Sequence, residues 1–429
     1  MQDVPSNPSQ ILDAVASDSA LWSDFLALCD CGGRRAGSES EERALALAQQ
    51  RLAAIGPAVR LQRVEYAGWR LHDASLTLVD GTVLVCNPLL GSASTPLNGR
   101  IAEVCDLGRG TAEAFDSHAA EIAGRFVLVR HEYPFSPQHI HRRRKLAWAF
   151  ERGAAGFIIA NPKARTGPVS GSSGRAGRAG IPAIGTDFES AATLAAAADA
   201  RITARLSVTG EDYAAETRVL VLDFPGEGPD WVVLSAHLDG HDLAESAMDN
   251  ATGVAAAVAV ARVCGPYVSQ CRRGLRVCLF SAEEWALAGS RQYLDSMDPH
   301  ERSRIRLNVN LDTVAGDDRL TALTSEFAGL DSYVGDVANT AGLRIDTYLP
   351  MMANSDHYNF AQHGIPALRL VAGFDRPDSN VRCILTAADT RDKVQPAELA
   401  SGARAAAALV WRGLTMGDED IAMLVKNTT

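Results

Sequence analysis

The stretch from Trp231 to Val254, WVVLSAHLDGHDLAESAMDNATGV, is the part of this sequence that most limits what it can fold into. An apolar run from Trp231 to Ala236 ends abruptly in His237, Leu238 and Asp239. A polar loop then carries Asp249 and Asn250 into a small-residue helix starting near Gly253. The pattern is that of a strand feeding a loop rich in ligand side chains. In an open α/β sheet, ligands sit at the carboxyl ends of strands, so a His-x-Asp pair there stands where chemistry takes place.

The chain after Glu211 repeats this texture. TRVLVLDF, WVVLSAH, LRVCLFSAEE, IRLNVNLD and IPALRLVAG read as strands, and GVAAAVAVARVC, SRQYLDSM, DSYVGDVANTAG and PAELASGARAAAALVWRGL as helices. Such alternation predicts an α/β fold with a mixed, largely parallel sheet sandwiched by helices. The strand ends again carry acids: Glu283 and Glu284 after LRVCLFS, Asp312 after IRLNVNL. A further loop, NSDHYNF, holds Asp356 and His357. One acid at a strand end is a solvated loop or a helix-start charge; together they point to a divalent-cation site.

With 429 residues, more than one domain is expected. Residues 1–96 read as an N-terminal part of the core, 97–210 as a β-rich insert, 211–415 as the main core and 416–429 as a tail. Within the first part, Ser9 to Gly56 reads as two helices around the turn CGGRRAGSES, with Ser38 and Glu41 as a capping box. Strands follow to Leu90, with Asp80-Gly81 as a hairpin turn. In the insert, His139, His141 and the run Arg142 to Lys145 read as a solvated helix start rather than a recognition patch. The Gly-rich GPVSGSSGRAGRAG lacks the Lys-Ser/Thr of a phosphate loop and reads as a mobile loop near the mouth of a site.

The formal net charge of −11 disfavours nucleic acid as a partner, since phosphate binding draws on clustered Lys and Arg. No apolar run reads as long enough to cross a bilayer, and MQDVPSNPSQ lacks the pattern of a secretory signal, so no membrane partner is expected. Eight scattered cysteines without a CxxC pair fit reduced thiols and a cytoplasmic location; Cys29 and Cys31 read as buried thiols before a metal pair. Small-residue helices such as GVAAAVAVARV pack inside a protein or between copies, which leaves a homodimer open.

Two family resemblances follow from ordered motifs. In the insert, GRFVLV (Gly124 to Val129), Lys145 to Gly156, FIIAN (Phe157 to Asn161) and IPAIG (Ile181 to Gly185) together resemble a protease-associated domain. In the core, HLD (His237 to Asp239), AMDN (Ala247 to Asn250), EEWALAGS (Glu283 to Ser290), NLD (Asn310 to Asp312) and SDHYNF (Ser355 to Phe360) resemble the co-catalytic zinc aminopeptidases and carboxypeptidases. That resemblance implies a zinc-aminopeptidase-like fold. It also implies that His237 and Asp312 bind one metal, and that Asp249 bridges to a second held by Glu284. Glu283 would be the general base, Asp239 would hydrogen-bond the far nitrogen of His237, and His357 would line the substrate pocket and donate to the carbonyl or anionic oxygen.

One element of the pattern is missing. The family closes its second metal site with a histidine in a segment like HTxxDTxDKV, which here reads LTAADTRDKV, with Leu385 at the histidine's place. Three readings follow: another histidine (His241, His357 or His363) moves in, one ion alone stays at His237, Asp249 and Asp312, or catalysis is lost. The second is favoured, because three protein ligands and a water make a catalytic site. His241 and Asp242 are the nearest spare ligands, with His241 read first as a loop histidine hydrogen-bonded near the site. Zinc is the expected metal, and one imidazole with two carboxylates also accepts manganese or iron.

The expected activity is metal-dependent hydrolysis of an amide-type C–N bond in a peptide or small amide, as in an aminopeptidase. The alternatives are a mononuclear amidohydrolase or deaminase acting on a small non-peptide compound, and a catalytically silent peptide-binding or scaffold protein. No G-x-S-x-G occurs to support a serine hydrolase.

Overall fold

The computed structural model describes residues 8–56 and 58–425; the N-terminal stretch to Asn7 and the last four residues of the tail lie outside it. The chain forms two compact units. The first comprises the residues up to Glu65, Glu216–Val381 and those from Asp389 onward; the second comprises Tyr66–Ala215 with Arg382–Ala388. These limits differ from an insert at 97–210, because Arg60–Leu78 and Thr203–Phe224 are single long strands. In the second unit, Val79 N donates to Thr203 O (3.2 Å) and Thr209 Oγ1 to Asp73 O (3.4 Å). Gly210 also lies too close to Trp69 to carry a side chain. The 382–388 segment joins the same unit through Ser170 N donating to Leu385 O (2.7 Å) and an antiparallel bridge from Val169 to Thr386.

The first unit is built on a sheet in the order Ile345–Tyr348, Leu320–Leu323, Ala367–Ala372, Ile305–Leu311, Trp231–His237, Gly274–Phe280 and the end of Thr203–Phe224. The four strands from Ala367–Ala372 to Gly274–Phe280 are mutually parallel, and antiparallel neighbours flank them. Leu320–Leu323 and Ile345–Tyr348 were not among the expected strands: each has four residues, too few to show a period.

Alternation along the strands explains the two faces. Val233, Cys278 and Phe280 pack with Tyr293, Leu294 and Phe360 from the helices Ala288–Asp295 and His357–Gln362. On the other face, Gly413 of Pro396–Thr415 sits against Val232 and Leu307, where an added Cβ would come within 3.0 Å of Leu307. The helical run Ala247–Gln270 is, by length and composition, long and apolar enough to cross a membrane, contrary to the expectation that no run qualifies. It is a core helix here, with every residue from Thr252 to Ala261 buried, which also accounts for its small residues.

The N-terminal segment contains three helices, Pro8–Ala16, Leu21–Asp30 and Glu39–Ala53, where two were expected. Asp18 makes the additional break by accepting from Ala20 N (3.1 Å). The expected capping box is half formed. Ser38 Oγ accepts from Glu41 N (3.2 Å), but the Glu41 carboxylate takes Gly37 N (2.5 Å), Thr217 Oγ1 (2.5 Å) and Ser281 Oγ. Burial pushes the Glu41 carboxyl up to about 7, against the lowering effect of the Ser281 and Thr217 hydroxyls.

The folded chain therefore holds this proton more tightly than the unfolded chain does. The stability it contributes is full below about pH 4.5 and is lost as pH rises through 7. In urea melts of chelator-treated protein, the wild type should lose up to about 3 kcal/mol relative to Glu41→Gln between pH 4.5 and 8. A pH-independent difference between the two would contradict this origin.

In the second unit, Arg100–Asp106, Phe126–Arg130, Gly156–Ala160 and Ala183–Thr186 form a parallel sheet, with Asn87–Pro88 antiparallel beyond Ala183–Thr186. Val127, Val129, Phe157 and Ile159 pack with Phe115, Leu146 and Ala149. The helix start at Arg142 is only partly solvated: Arg144 is exposed, but Arg142 and Lys145 are buried. Lys145 is fully buried, with Nζ donating to Arg109 O (2.6 Å), Arg130 O (3.0 Å) and Glu132 (2.6 Å). Arg142 is buried against the Gly-rich loop, donating to Ser172 O (3.0 Å) over Gly171, whose missing side chain makes the room. Arg175 ties the same loop to Gly91 O (2.6 Å) and to Asp212, so it is a braced loop rather than a free one.

Candidate active site and metal centre

The site lies at the carboxyl ends of the parallel strands of the first unit, and each motif has a structural reason. His237 ends its strand, buried, with Nδ1 3.0 Å from the carbonyl of Asp239. The Asp239 carboxylate is 3.7 Å from that nitrogen, beyond hydrogen-bond range. It accepts instead from Glu283 N (3.0 Å) and Glu284 N (3.2 Å). The expected role of Asp239 is thus divided: its carbonyl orients the imidazole, and its carboxylate sets the turn that carries both glutamates. In that turn Leu287 N donates to Glu283 O (2.7 Å), and Gly289 packs on the Ser281 backbone where no Cβ fits. Ser290 accepts from Asn359 Nδ2 (2.8 Å), which accounts for the Gly-Ser end of EEWALAGS.

Asp249 is presented by a buried loop whose Asp249–Asn250 peptide bond is cis. Asp389 accepts from Met248 N (2.8 Å) and Asp249 N (3.3 Å), while Asn250 receives Gly253 N (3.0 Å) and Thr313 N (3.2 Å). Asn310, two residues before Asp312, joins strand to loop by receiving Ser235 Oγ (2.7 Å) and donating to Ser355 Oγ (2.8 Å). Asp312 itself is gripped by Arg369, Nη2 to Oδ2 at 3.0 Å. Burial raises this carboxyl, and Arg369 and His237 overcome that, leaving it below the ordinary carboxylate value. Arg369 is therefore a partner of Asp312.

The donor atoms fall into two groups. His237, Glu283 and Asp312 offer ligand atoms within 4.8 Å of one another, as do His241, Asp249 and Glu284. Asp249 also touches the first group, its Oδ1 lying 3.1 Å from His237 Nε2, with Asp312 Oδ1 3.5 Å from the same nitrogen. Ligands about 2.0–2.2 Å from a tetrahedral zinc ion stand about 3.3–3.5 Å apart, so these spacings suit such an ion.

His237 Nε2 and Glu284 Oε1 are buried, and their nearest polar neighbours are other candidate ligand atoms, Asp249 Oδ1 at 3.1 Å and His241 Nε2 at 2.6 Å, as in a site that gathers donors around a cation. The electrostatics agree. Burial pulls His237 down, but Asp312 and Glu283 raise it well above the ordinary histidine value; a pocket so rich in carboxylate demands positive charge. Burial, then Glu284 and Asp356, raise Glu283 well above the usual carboxylate value, against the pull of His237.

The remaining candidates separate clearly. His357 is buried and belongs to neither donor group; burial and the Arg369 charge pull it down to about 3, so its imidazole is neutral. His363 lies apart, 3.5 Å from Asp295, and Asp242 turns to Arg35 (2.7 Å). Cys29 is a buried free thiol that burial pushes up to about 12.

Sequence reasoning missed Arg34. It lies fully buried in the turn between the expected helices, donating to Leu238 O (2.9 Å), Glu245 O (2.6 Å) and Ser246 O (2.7 Å) of the ligand loop. The only sequence signal was its place beside the glycines of CGGRR.

Residues 220–410 match the model of peptidase family M28, and residues 94–194 match the PA domain. The core unit belongs to peptidase family M28. The chain is 26% identical over 350 residues to aminopeptidase YwaD of Bacillus subtilis, covering 80% of this chain and 72% of that protein. An M28 peptidase precursor from Shewanella amazonensis superposes with a TM-score of 0.79 at 21% identity, over 95% of this chain and 96% of that one. The zinc aminopeptidase BSAP from Bacillus subtilis gives 0.72 at 22%, over 96% and 97%. The M28 protein is accordingly a metal-dependent hydrolase of the aminopeptidase type, with zinc as the metal the family supports.

Proposed function

We propose that this M28 protein is a zinc-dependent aminopeptidase acting on peptides with a free N-terminus. The observation that carries the reading is the convergence of His237 and Asp312, at strand ends, with Asp249 from the buried loop, and with Glu283 buried beside them on a turn pinned by Asp239. One ion at His237, Asp249 and Asp312 is sufficient for this reading, and manganese or iron are the other metals such a shell accepts. Such an ion, when bound, lowers the pKa of water towards neutrality and polarises a carbonyl.

The remaining roles belong to the chain. Glu283 takes the proton of the attacking water and returns it to the leaving amine, a transfer helped by the raised proton affinity that its burial brings. Asp239 holds Glu283 and Glu284 through their backbone amides, and the neutral His357 donates to the scissile carbonyl oxygen. A pocket whose fixed charges are mainly carboxylates favours a substrate bringing an ammonium group.

Hydrolysis of aminoacyl anilides tests the substrate class. A free aminoacyl anilide should be cleaved at least about 100-fold faster than its N-acetylated form, the loss of one charged contact in a buried site being worth about 3 kcal/mol. Equal rates, or preference for small aromatic amides lacking the amine, would favour an amidohydrolase instead.

A further inference from the structure

The loss of the family histidine at Leu385 leaves Glu284 without the imidazole that the pattern supplies, yet the structure places another imidazole against it. His241 Nε2 lies 2.6 Å from Glu284 Oε1, and both group with Asp249. We propose that His241 has taken over the missing ligand's place, so that His241, Asp249 and Glu284 would hold a second zinc ion beside the first. This rests on the aminopeptidase reading and extends it from one metal to two.

Three observations support a built ligand. First, His241 is 4% exposed and its Nε2 stands 2.6 Å from the buried Glu284 Oε1, so the two donor atoms face one another inside the protein. Second, one imidazole and two carboxylates make up the three-donor shell that catalytic zinc accepts.

Third, the His241 backbone is fixed from both sides. His241 N donates to Ser246 Oγ (2.9 Å), and Gly240 N donates to Arg34 O (3.2 Å). Gly33 lies so close to the His241 carbonyl that no other residue fits there, and Arg34 clamps the loop at Leu238, Glu245 and Ser246. Such bracing sets ligand geometry in advance. The donor type lost from one loop is thus restored from another, four residues after His237 in HLDGH.

The experiment is zinc chloride titration of the full chain after chelator treatment, followed by calorimetry, with metal counted after dialysis. The wild type should hold two zinc ions. His241→Ala should hold one, with the second bound at least about 100-fold more weakly, beyond the 10–100-fold typical of an outer-shell change. His241→Gln, closer in size and polarity, should behave alike and guards against misfolding of the alanine variant; circular dichroism checks both.

Independently of any variant, zinc X-ray absorption of the two-zinc wild type should show one imidazole per zinc, and one imidazole for every two zincs would overturn the proposal. Two tightly held zinc ions in both variants would also overturn it. One zinc in the wild type, unchanged in the variants, would overturn it while leaving the aminopeptidase reading intact. No zinc at all would overturn both.

Discussion

Glu283→Gln is expected to lower kcat by about 10²–10⁴-fold, the usual contribution of a positioned general base, while zinc content is unchanged. The substitution keeps size and polarity but removes the ability to take a proton. The backbone should not respond, because it is held by contacts that do not involve the side chain: Glu283 N to Asp239 and Leu287 N to Glu283 O. Burial, and then Glu284 and Asp356, raise the proton affinity of this side chain, as a proton acceptor requires. Steady-state kinetics with metal analysis decide the matter. Turnover within a few-fold of wild type would remove Glu283 from the mechanism, and loss of zinc would reassign it as a ligand.

The second large effect concerns Arg34. Its guanidinium satisfies carbonyls of Leu28, Gly32, Leu238, Glu245 and Ser246, all from a fully buried position. Each buried acceptor left without a donor costs about 1–3 kcal/mol, with incomplete additivity. Arg34→Ala should therefore destabilise the first unit by at least about 3 kcal/mol, visible as a lower urea midpoint, and should weaken zinc binding as the 238–246 loop loosens. Arg34→Lys should not rescue it, since an ammonium lacks the planar fork of donors that reaches several carbonyls at once. A midpoint within experimental error of wild type would show that the loop is held by other means.

Much of this was legible in the chain because strand ends are marked by an abrupt change from apolar to acidic residues. His237, Asp249, Glu283, Glu284 and Asp312 all come together beyond the carboxyl ends of the parallel strands. The motif letters around them also have structural reasons, such as Gly289 against Ser281 and Asn310 between Ser235 and Ser355.

What was not legible was which atom meets which. The spacing of His237 and Asp239 does not distinguish a carboxylate contact from a carbonyl one, and the difference moved the Asp239 carboxylate to the glutamate turn. Arg142 and Lys145 read as solvated charges, and Arg34 was passed over, because burial of a cation depends on carbonyls distant in sequence, which no local pattern records. The donor lost at Leu385 favoured a single ion, with His241 only one of several spare histidines, because no local pattern records the approach of His241 to Glu284.

The most direct measurement is aminoacyl anilide turnover by chelator-stripped protein as zinc is returned. Activity should be absent in the stripped protein, return with zinc until it saturates, and stay absent in His237→Ala at zinc levels that saturate the wild type. Turnover that survives stripping, or that zinc restores equally to His237→Ala, would contradict a metal-dependent peptidase built on this site.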